Sequence, residues 1–291
     1  MDDSGGFAPP PPPPPSAGGG GDIPQRGLGD ILSAAFDVYK ANAAKLIMIV
    51  AIVVVPLSFI SALITGVIFA PKKTTTPTIL GDITFIEPRS IWILALSTLA
   101  TVMITWVIAA MLQAALMRGA ALATLGDPVD VEASYKYGFR RLGSVILISL
   151  LIGLVVAAGF LLIIIPILGW IAAAVWAVFA GTMLAVAIPV LVVENRRGTE
   201  AMSRSWELVK GHFWHVLGVI VVASILAGIV AGIIGAIGGS NWILAWIFGA
   251  IGQIITAPFT ALVTILLYID LRSRTESLTG EQLRTQVSTA T

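Results

Sequence analysis

The sequence contains no cysteine and few charged residues. Without cysteine, the fold has neither disulfide bonds nor thiolate metal sites. Asp, Glu, Lys and Arg make up 11% of the 291 residues, whereas hydrophobic residues make up 57%. Soluble domains carry about 25% charged residues. The composition therefore indicates a chain whose main solvent is lipid.

Charge is missing altogether from four long stretches, residues 46–70, 90–117, 142–193 and 213–269. A helix that spans a bilayer needs about 20 apolar residues, so the last two stretches are each long enough for two helices. Residues 166–169 and 238–241 are rich in proline and glycine, which interrupt helices. The sequence therefore predicts six spans, at residues 46–70, 90–116, 142–165, 170–193, 214–237 and 243–269.

Lys and Arg are unequally divided between the two sides of these predicted spans. The N-terminal segment, the 117–141 and 194–212 loops and the C-terminal tail hold 14 of the 17, and the 71–89 loop holds the rest. The positive-inside rule therefore places both termini in the cytoplasm. Three tryptophans at the outer starts of the even-numbered spans fit an interfacial belt: Trp92, Trp170 and Trp242. We expect a multi-pass protein of the cytoplasmic (plasma) membrane.

A short segment recurs before each predicted pair of spans. Residues 33–46 align without gaps with residues 203–216, and the middle copy places Ser134, Tyr137 and Arg141 at the equivalent positions. The aligned pairs share their chemistry: Ser33 with Ser203, Phe36 with Trp206, Asp37 with Glu207, and Lys40 with Lys210. Each copy predicts an amphipathic helix, which either lies in the membrane interface or folds back against the bundle.

Together these patterns predict an all-α integral membrane protein of six transmembrane helices, built as three helical hairpins that each follow an amphipathic cytoplasmic interfacial helix. Residues 27–276 form this domain. Residues 1–26, with prolines at 9–15, predict a disordered cytoplasmic tail, and residues 277–291 a flexible one. The proline tract is either a spacer or a ligand for a proline-recognising partner. Because the chain begins without the basic and apolar regions of a cleavable signal peptide, we expect the first span to direct insertion.

Polar side chains are rare inside the predicted spans. Their cores lack Asp, Glu, Lys and Arg, which are the usual markers of a transport path. Gln113 and Gln253 remain, and we expect them to hydrogen-bond between helices. Gly228 and Gly232 form a GxxxG step, which permits close approach of two helices.

The sequence lacks a recognisable catalytic set. It has no Gly-rich phosphate loop before a helix and no evident Ser, His and acid combination. His212 and His215 are the only histidines, and they lack further ligands nearby, so we expect interfacial anchoring rather than a metal site. We therefore predict no enzyme activity, no cofactor, no metal and no nucleic-acid partner.

The repeated segments supply the candidate functional surface. Their basic and aromatic side chains, with a carboxylate at the end of span four, predict a cytoplasmic surface that binds lipid or a protein partner. Its candidate residues are Phe36, Lys40, Tyr137, Arg141, Glu194, Arg204, Trp206, Lys210 and Trp214.

Residues 187–194 and 201–214 together resemble a bacterial family, the membrane domain associated with glycerophosphoryl diester phosphodiesterases. Residues 27–32 are similar to the opening of that family and residues 268–272 to its close, so the resemblance covers about residues 26–280. In this family the phosphodiesterase activity belongs to a separate soluble barrel domain, which needs about 250 residues, and we expect that domain to be absent here. The resemblance implies a stand-alone member, and the Pro- and Gly-rich tail is typical of actinobacterial proteins.

Two functions remain open from the sequence. The first is a non-enzymatic membrane protein that organises or regulates partners through its cytoplasmic helices or proline-rich tail. The alternative is a transporter or lipid-handling protein linked to glycerophospholipid metabolism. Membrane lipids are expected partners of either.

Overall fold

The computed structural model describes residues 24–63, 72–78, 81–87, 91–164, 168–239, 241–276 and 279–289. The proline tract at residues 9–15, the turn at Pro166 and residue Ser240 lie outside the described residues, as do the side chains of Trp92 and Trp242. Trp170 is exposed at the start of its helix, as an interfacial tryptophan would be.

Helices account for most of the described chain. They are α1 Leu28–Leu63, α2 Ile91–Thr124, α3 Val131–Ala158, α4 Leu168–Met183, α5 Ala187–Glu194, α6 Thr199–Lys210, α7 Phe213–Ile237, α8 Trp242–Glu276 and α9 Gly280–Thr289. A short 3₁₀ helix, Gly159–Ile164, follows α3. Six helical segments are long and apolar enough to cross a membrane: Leu28–Ile60, Thr105–Thr124, Val131–Ile163, Leu168–Glu194, Phe213–Ile237 and Ile243–Glu276. The prediction of six candidate spans is confirmed.

The fourth span is interrupted where α4 gives way to α5. Residues 184–186 form a turn there, and Pro189 lies in α5. A proline ring clashes with the carbonyl four residues earlier, which is that of Ala185. Pro56 and Pro258, in contrast, lie inside the continuous helices α1 and α8.

The amphipathic segments do not form three separate helices. In the first two copies the segment runs on into the span as part of α1 and α3, because no breaker separates them. Only the third copy is a distinct helix, α6, which Gly211 and His212 separate from α7. Its buried residues are Ala201, Ser205, Leu208 and Val209. For α6, therefore, the apolar face folds back against the bundle.

A two-stranded antiparallel sheet lies between α1 and α2. Its strands, β1 Lys72–Thr78 and β2 Gly81–Glu87, pair from Lys72 opposite Glu87 to Thr78 opposite Gly81. The all-α prediction did not include it. β-Branched Thr and Ile residues favour strands, and both segments are rich in them.

The helices share a single buried core, in which α8 is central. Both α1 and α7 pack along α8, and α2 packs along α3. The core includes the side chains of Leu262, Ile265, Leu267 and Leu271 from α8. The helices that leave most apolar residues exposed are α3 and α7, which fits contact with lipid acyl chains.

Close helix approach occurs at a different glycine from those predicted. A Cβ on Gly138 of α3 would lie 2.9 Å from the carbonyl oxygen of Met111 in α2, whereas a Cβ on Gly228 or Gly232 would meet no neighbouring group within 4 Å. Among the described residues, therefore, no helix packs closely against the GxxxG step. We expected Gln113 and Gln253 to hydrogen-bond between helices. This was wrong, because both side chains are exposed and neither forms a hydrogen bond within the described residues.

Both ends of the described chain meet at one end of the bundle. The backbone N–H of Arg26 donates to Asp270 near the end of α8, and Arg284 of α9 donates to the carbonyl of Leu125 in the α2–α3 loop. We name this end the terminal face; it comprises residues 24–27, the loops 125–130 and 195–198, the adjoining ends of α2, α5 and α8, and the helices α6 and α9. Residues 280–289 were predicted to be flexible but form α9, because Leu283 and Val287 give it a buried apolar face.

Candidate functional site

Glu194, the last residue of α5, is the centre of an ion-pair network on the terminal face. Its side chain is only 8% exposed. Arg204 of α6 lies 3.2 Å from it, Arg196 3.1 Å and Arg272 of α8 3.7 Å, each measured from Nε to a carboxylate oxygen. The hydroxyl of Tyr268 donates to the same carboxylate at 3.0 Å. One buried charge therefore fixes α5, α6 and α8 relative to one another.

A second carboxylate, Glu276 at the end of α8, closes the network. It accepts hydrogen bonds from Arg204 and from Arg272, the latter at 3.1 Å. Arg272 also donates to the hydroxyl of Tyr268 at 3.1 Å and to Gln286 of α9 at 2.6 Å. Cations and anions alternate through the cluster, so each charge is offset by its neighbours, as buried charges require.

The network borders a cavity of about 520 Å³, lined by Val193, Glu194, Asn195, Arg196, Arg204, Arg272, Glu276 and Gln286. Burial alone would lower the pKa of the Arg204 guanidinium, but its hydrogen bond to Glu276 and the charge of Glu194 raise it overall. Arg204 therefore stays protonated at any physiological pH. The cavity offers both cationic and anionic groups to a polar ligand.

Asp270 forms a separate cluster that ties down the N-terminal segment. Its side chain is completely buried. It accepts from the backbone N–H of Arg26 at 2.7 Å and from Nε of Arg274 at 2.7 Å, and it lies 3.1 Å from Nε2 of His215 in α7. Arg274 also donates to the carbonyl of Arg26. His215 thus has a carboxylate partner that the sequence did not predict, while its interfacial anchoring stays a prediction.

Aromatic residues extend outward from α6. The ring of Phe179 in α4 lies 5.7 Å from that of Trp206 and 5.6 Å from that of Phe213, measured between centroids. Phe213 in turn contacts Trp214, which is 80% exposed. This row of rings leads from α4 to the start of α7 and leaves its two tryptophans accessible.

The nine predicted residues do not form one site. Glu194 and Arg204 meet in the ion-pair network, while Trp206 and Trp214 belong to the aromatic row. Exposed Lys210 ends α6.

The remaining predicted residues form two pairs elsewhere. Lys40 lies over the exposed ring of Phe36, 4.7 Å from its centroid. Tyr137 is buried, and Arg141 lies 5.8 Å from its ring centroid.

Sequence reasoning missed the α8 half of the network. Tyr268, Arg272 and Glu276 follow one another at intervals of four, and so do Asp270 and Arg274. Residues four apart lie on one helix face, so this spacing is a signal for two polar rows at the end of an apolar helix. Their partners on α5 and α6 are distant in sequence and gave no such signal.

Within the described part of the chain, no three His, Asp or Glu side chains are grouped so that they could hold a metal ion. Glu194, Glu276 and Asp270 are instead placed against arginines.

Residues 161–273 match the family model of the membrane domain of glycerophosphoryl diester phosphodiesterase. This confirms the predicted resemblance for that part of the chain, which is less than half of it. The match includes Glu194, Arg204, Tyr268, Asp270 and Arg272, and therefore most of both clusters. No match was found among curated proteins or among solved structures.

Proposed function

We propose that this chain, whose residues 161–273 match a membrane domain of the phosphodiesterase family, is a non-enzymatic multi-pass protein of the bacterial cytoplasmic membrane that organises or regulates partners. The excess of Lys and Arg on the side of both termini and the terminal face supports a cytoplasmic location for them. The family match supports the non-enzymatic part, because it is to the membrane domain.

The observation that carries this proposal is the two-sided nature of α6. One side is held to the bundle by buried Leu208 and Val209 and by the ion pairs of Arg204. The other side exposes Trp206 and Lys210 at helical spacing. A rigid helix with an accessible aromatic and charged face needs little ordering on binding, which favours recognition of a partner.

Photocrosslinking tests the docking face directly. We expect a photoreactive amino acid at Lys210 to give the same crosslinked protein in repeated experiments in vivo, because this side chain ends the exposed face of α6. The same probe at Ile233, an exposed apolar residue of α7, is the matched control and should give no such product. If the Lys210 probe gives no reproducible product, or the same products as Ile233, the partner proposal is wrong.

A lipid-handling or transport function is the second candidate, and the polar cavity beside Glu194 is the observation that favours it. Three arginines and two carboxylates line this space and suit a polar head group. Proteoliposomes containing the full chain should then scramble or transport a fluorescent phospholipid faster than protein-free vesicles, with Arg196→Ala slower than the unaltered chain. Equal rates for the protein and the empty vesicles would exclude this candidate.

A further inference from the structure

Four arginines from three parts of the chain lie near Tyr137 or near its neighbour Arg118, close to the terminal face. The guanidinium carbon of Arg118 in α2 lies 4.7 Å from the ring centroid of Tyr137 in α3, and that of Arg141 lies 5.8 Å from it. Arg140 lies close enough to Arg118, and Arg197 from the loop before α6 lies close enough to Tyr137, for their charges to interact. We name these four residues the arginine cluster.

Arg118 is the unusual member of the arginine cluster. It is only 8% exposed, and its buried Nε has no hydrogen-bond partner. None of Arg118, Arg140 and Arg197 forms an ion pair with a carboxylate among the residues that the structure describes. A buried cation without a counter-ion is costly, and the cation–π contact with Tyr137 offsets only part of that cost.

The buried arginines of the Glu194 network differ from Arg118 in having carboxylate partners. There, buried Arg204 and Arg272 each reach a carboxylate. In the arginine cluster, Tyr137 uses its hydroxyl to donate to the carbonyl of Val192, so its oxygen supplies no negative charge. Arg118, Arg140 and Arg197 therefore bring positive charge that no carboxylate among the described residues pairs with.

The charge pattern of the sequence predicts that the arginine cluster lies at the depth of the lipid head groups. Arg118 is six residues from the end of α2 and Tyr137 six residues from the start of α3, so each is about 9 Å inside its helix by the rise of 1.5 Å per residue. The charge-free stretches end at Met117 and resume at Leu142. The guanidinium groups thus mark the boundary of the hydrocarbon layer, where phospholipids carry their phosphates.

Apolar residues of α3 continue from the arginine cluster into the predicted hydrocarbon layer. Leu147, Leu150 and Leu154 are exposed and recur at helical spacing. An acyl chain can lie along such a face while its head group remains beside Arg140 and Arg141.

We propose that the arginine cluster binds the phosphate group of an anionic phospholipid in the leaflet at the terminal face. The phosphate oxygens accept charge-assisted hydrogen bonds from Arg118 and its neighbours, and the acyl chains lie against α3. This proposal goes beyond the organising role and is independent of it, because the partner surface is on α6.

Native mass spectrometry tests the proposed phospholipid site. The purified full chain in detergent is titrated with phosphatidylglycerol or with phosphatidylcholine. We expect tighter binding of phosphatidylglycerol, and an apparent Kd about tenfold higher in Arg118→Gln, which is about the effect of losing one hydrogen bond to a charged group. Because Arg140 is exposed, Arg140→Gln should leave folding intact. It should also raise the apparent Kd for phosphatidylglycerol. Lys136→Gln is the matched control, because it removes an exposed cation from the same helix and should bind normally.

Several outcomes would overturn the proposal. One is unchanged phosphatidylglycerol binding in folded Arg118→Gln or in Arg140→Gln. Another is an equal loss of binding in Lys136→Gln, which would mean a general charge effect. If inorganic phosphate binds as tightly as the lipid and displaces it, the site is one for free phosphate and the assignment to a lipid is wrong.

Discussion

Replacing Glu194 with alanine is expected to lower the thermal unfolding midpoint of the protein in detergent by roughly 10 °C. Removing one partner of a buried ion pair costs about 3–5 kcal/mol, and about 1 kcal/mol corresponds to roughly 2–4 °C for a chain of this size. Glu194 is nearly buried and interacts with Arg204, Arg272 and Tyr268. Its loss leaves Arg204 and Arg272 to share Glu276, and the other carboxylate near Arg204, Glu207 at 3.7 Å, is 62% exposed.

Glu132→Ala is the matched control for that variant. Glu132 also belongs to an ion pair, with Lys136 at 2.6 Å, but its side chain is 76% exposed. Exposed pairs contribute about 0–1 kcal/mol, so we expect a shift of at most a few degrees. Unfolding can be followed by tryptophan fluorescence. Equal shifts in the two variants would show that the Glu194 network does not hold the terminal face together.

Asp270→Ala is expected to release the N-terminal segment as well as to destabilise the bundle by a similar amount. The buried carboxylate accepts from the backbone of Arg26 and contacts His215 and Arg274. Without it, Arg274 loses its ion pair, and the N–H of Arg26 loses its acceptor. Limited digestion with trypsin should therefore cleave after Arg26 several-fold faster, since proteolysis follows local opening.

Asp37→Ala provides the comparison for this experiment. Asp37 pairs with Lys40 at 3.5 Å, but its side chain is 73% exposed. We expect the rate of cleavage after Arg26 in Asp37→Ala to equal that of the unaltered chain. A normal cleavage rate in Asp270→Ala would mean that Asp270 does not anchor the segment.

The spans were predictable because their signal is local. A run of residues such as 46–70 without any charge has only one common explanation at that length. The same reasoning located the spans but missed their ends, since α2 continues to Thr124 and α8 to Glu276. Charged residues at the end of an apolar run do not stop a helix, and these two helices carry theirs onto the terminal face.

The candidate site was only partly predictable because its contacts are distant in sequence. Glu194 and Arg204 were identified from the repeat and from the end of an apolar run. Their partners Tyr268 and Glu276 come from a helix more than 70 positions later. The four-residue spacing on α8 shows that these groups share a face, but only the packing of α5 against α8 shows what that face meets.

The central claim is that the terminal face is the cytoplasmic working surface, and labelling of single cysteines in intact cells tests it most directly. The chain has no cysteine of its own, so Lys210→Cys in α6 and Thr84→Cys in β2 each provide one thiol. We predict that a membrane-impermeant maleimide labels Thr84→Cys in intact cells and Lys210→Cys only after permeabilisation. Labelling of Lys210→Cys in intact cells, with Thr84→Cys protected, would contradict the orientation and the function proposed from it.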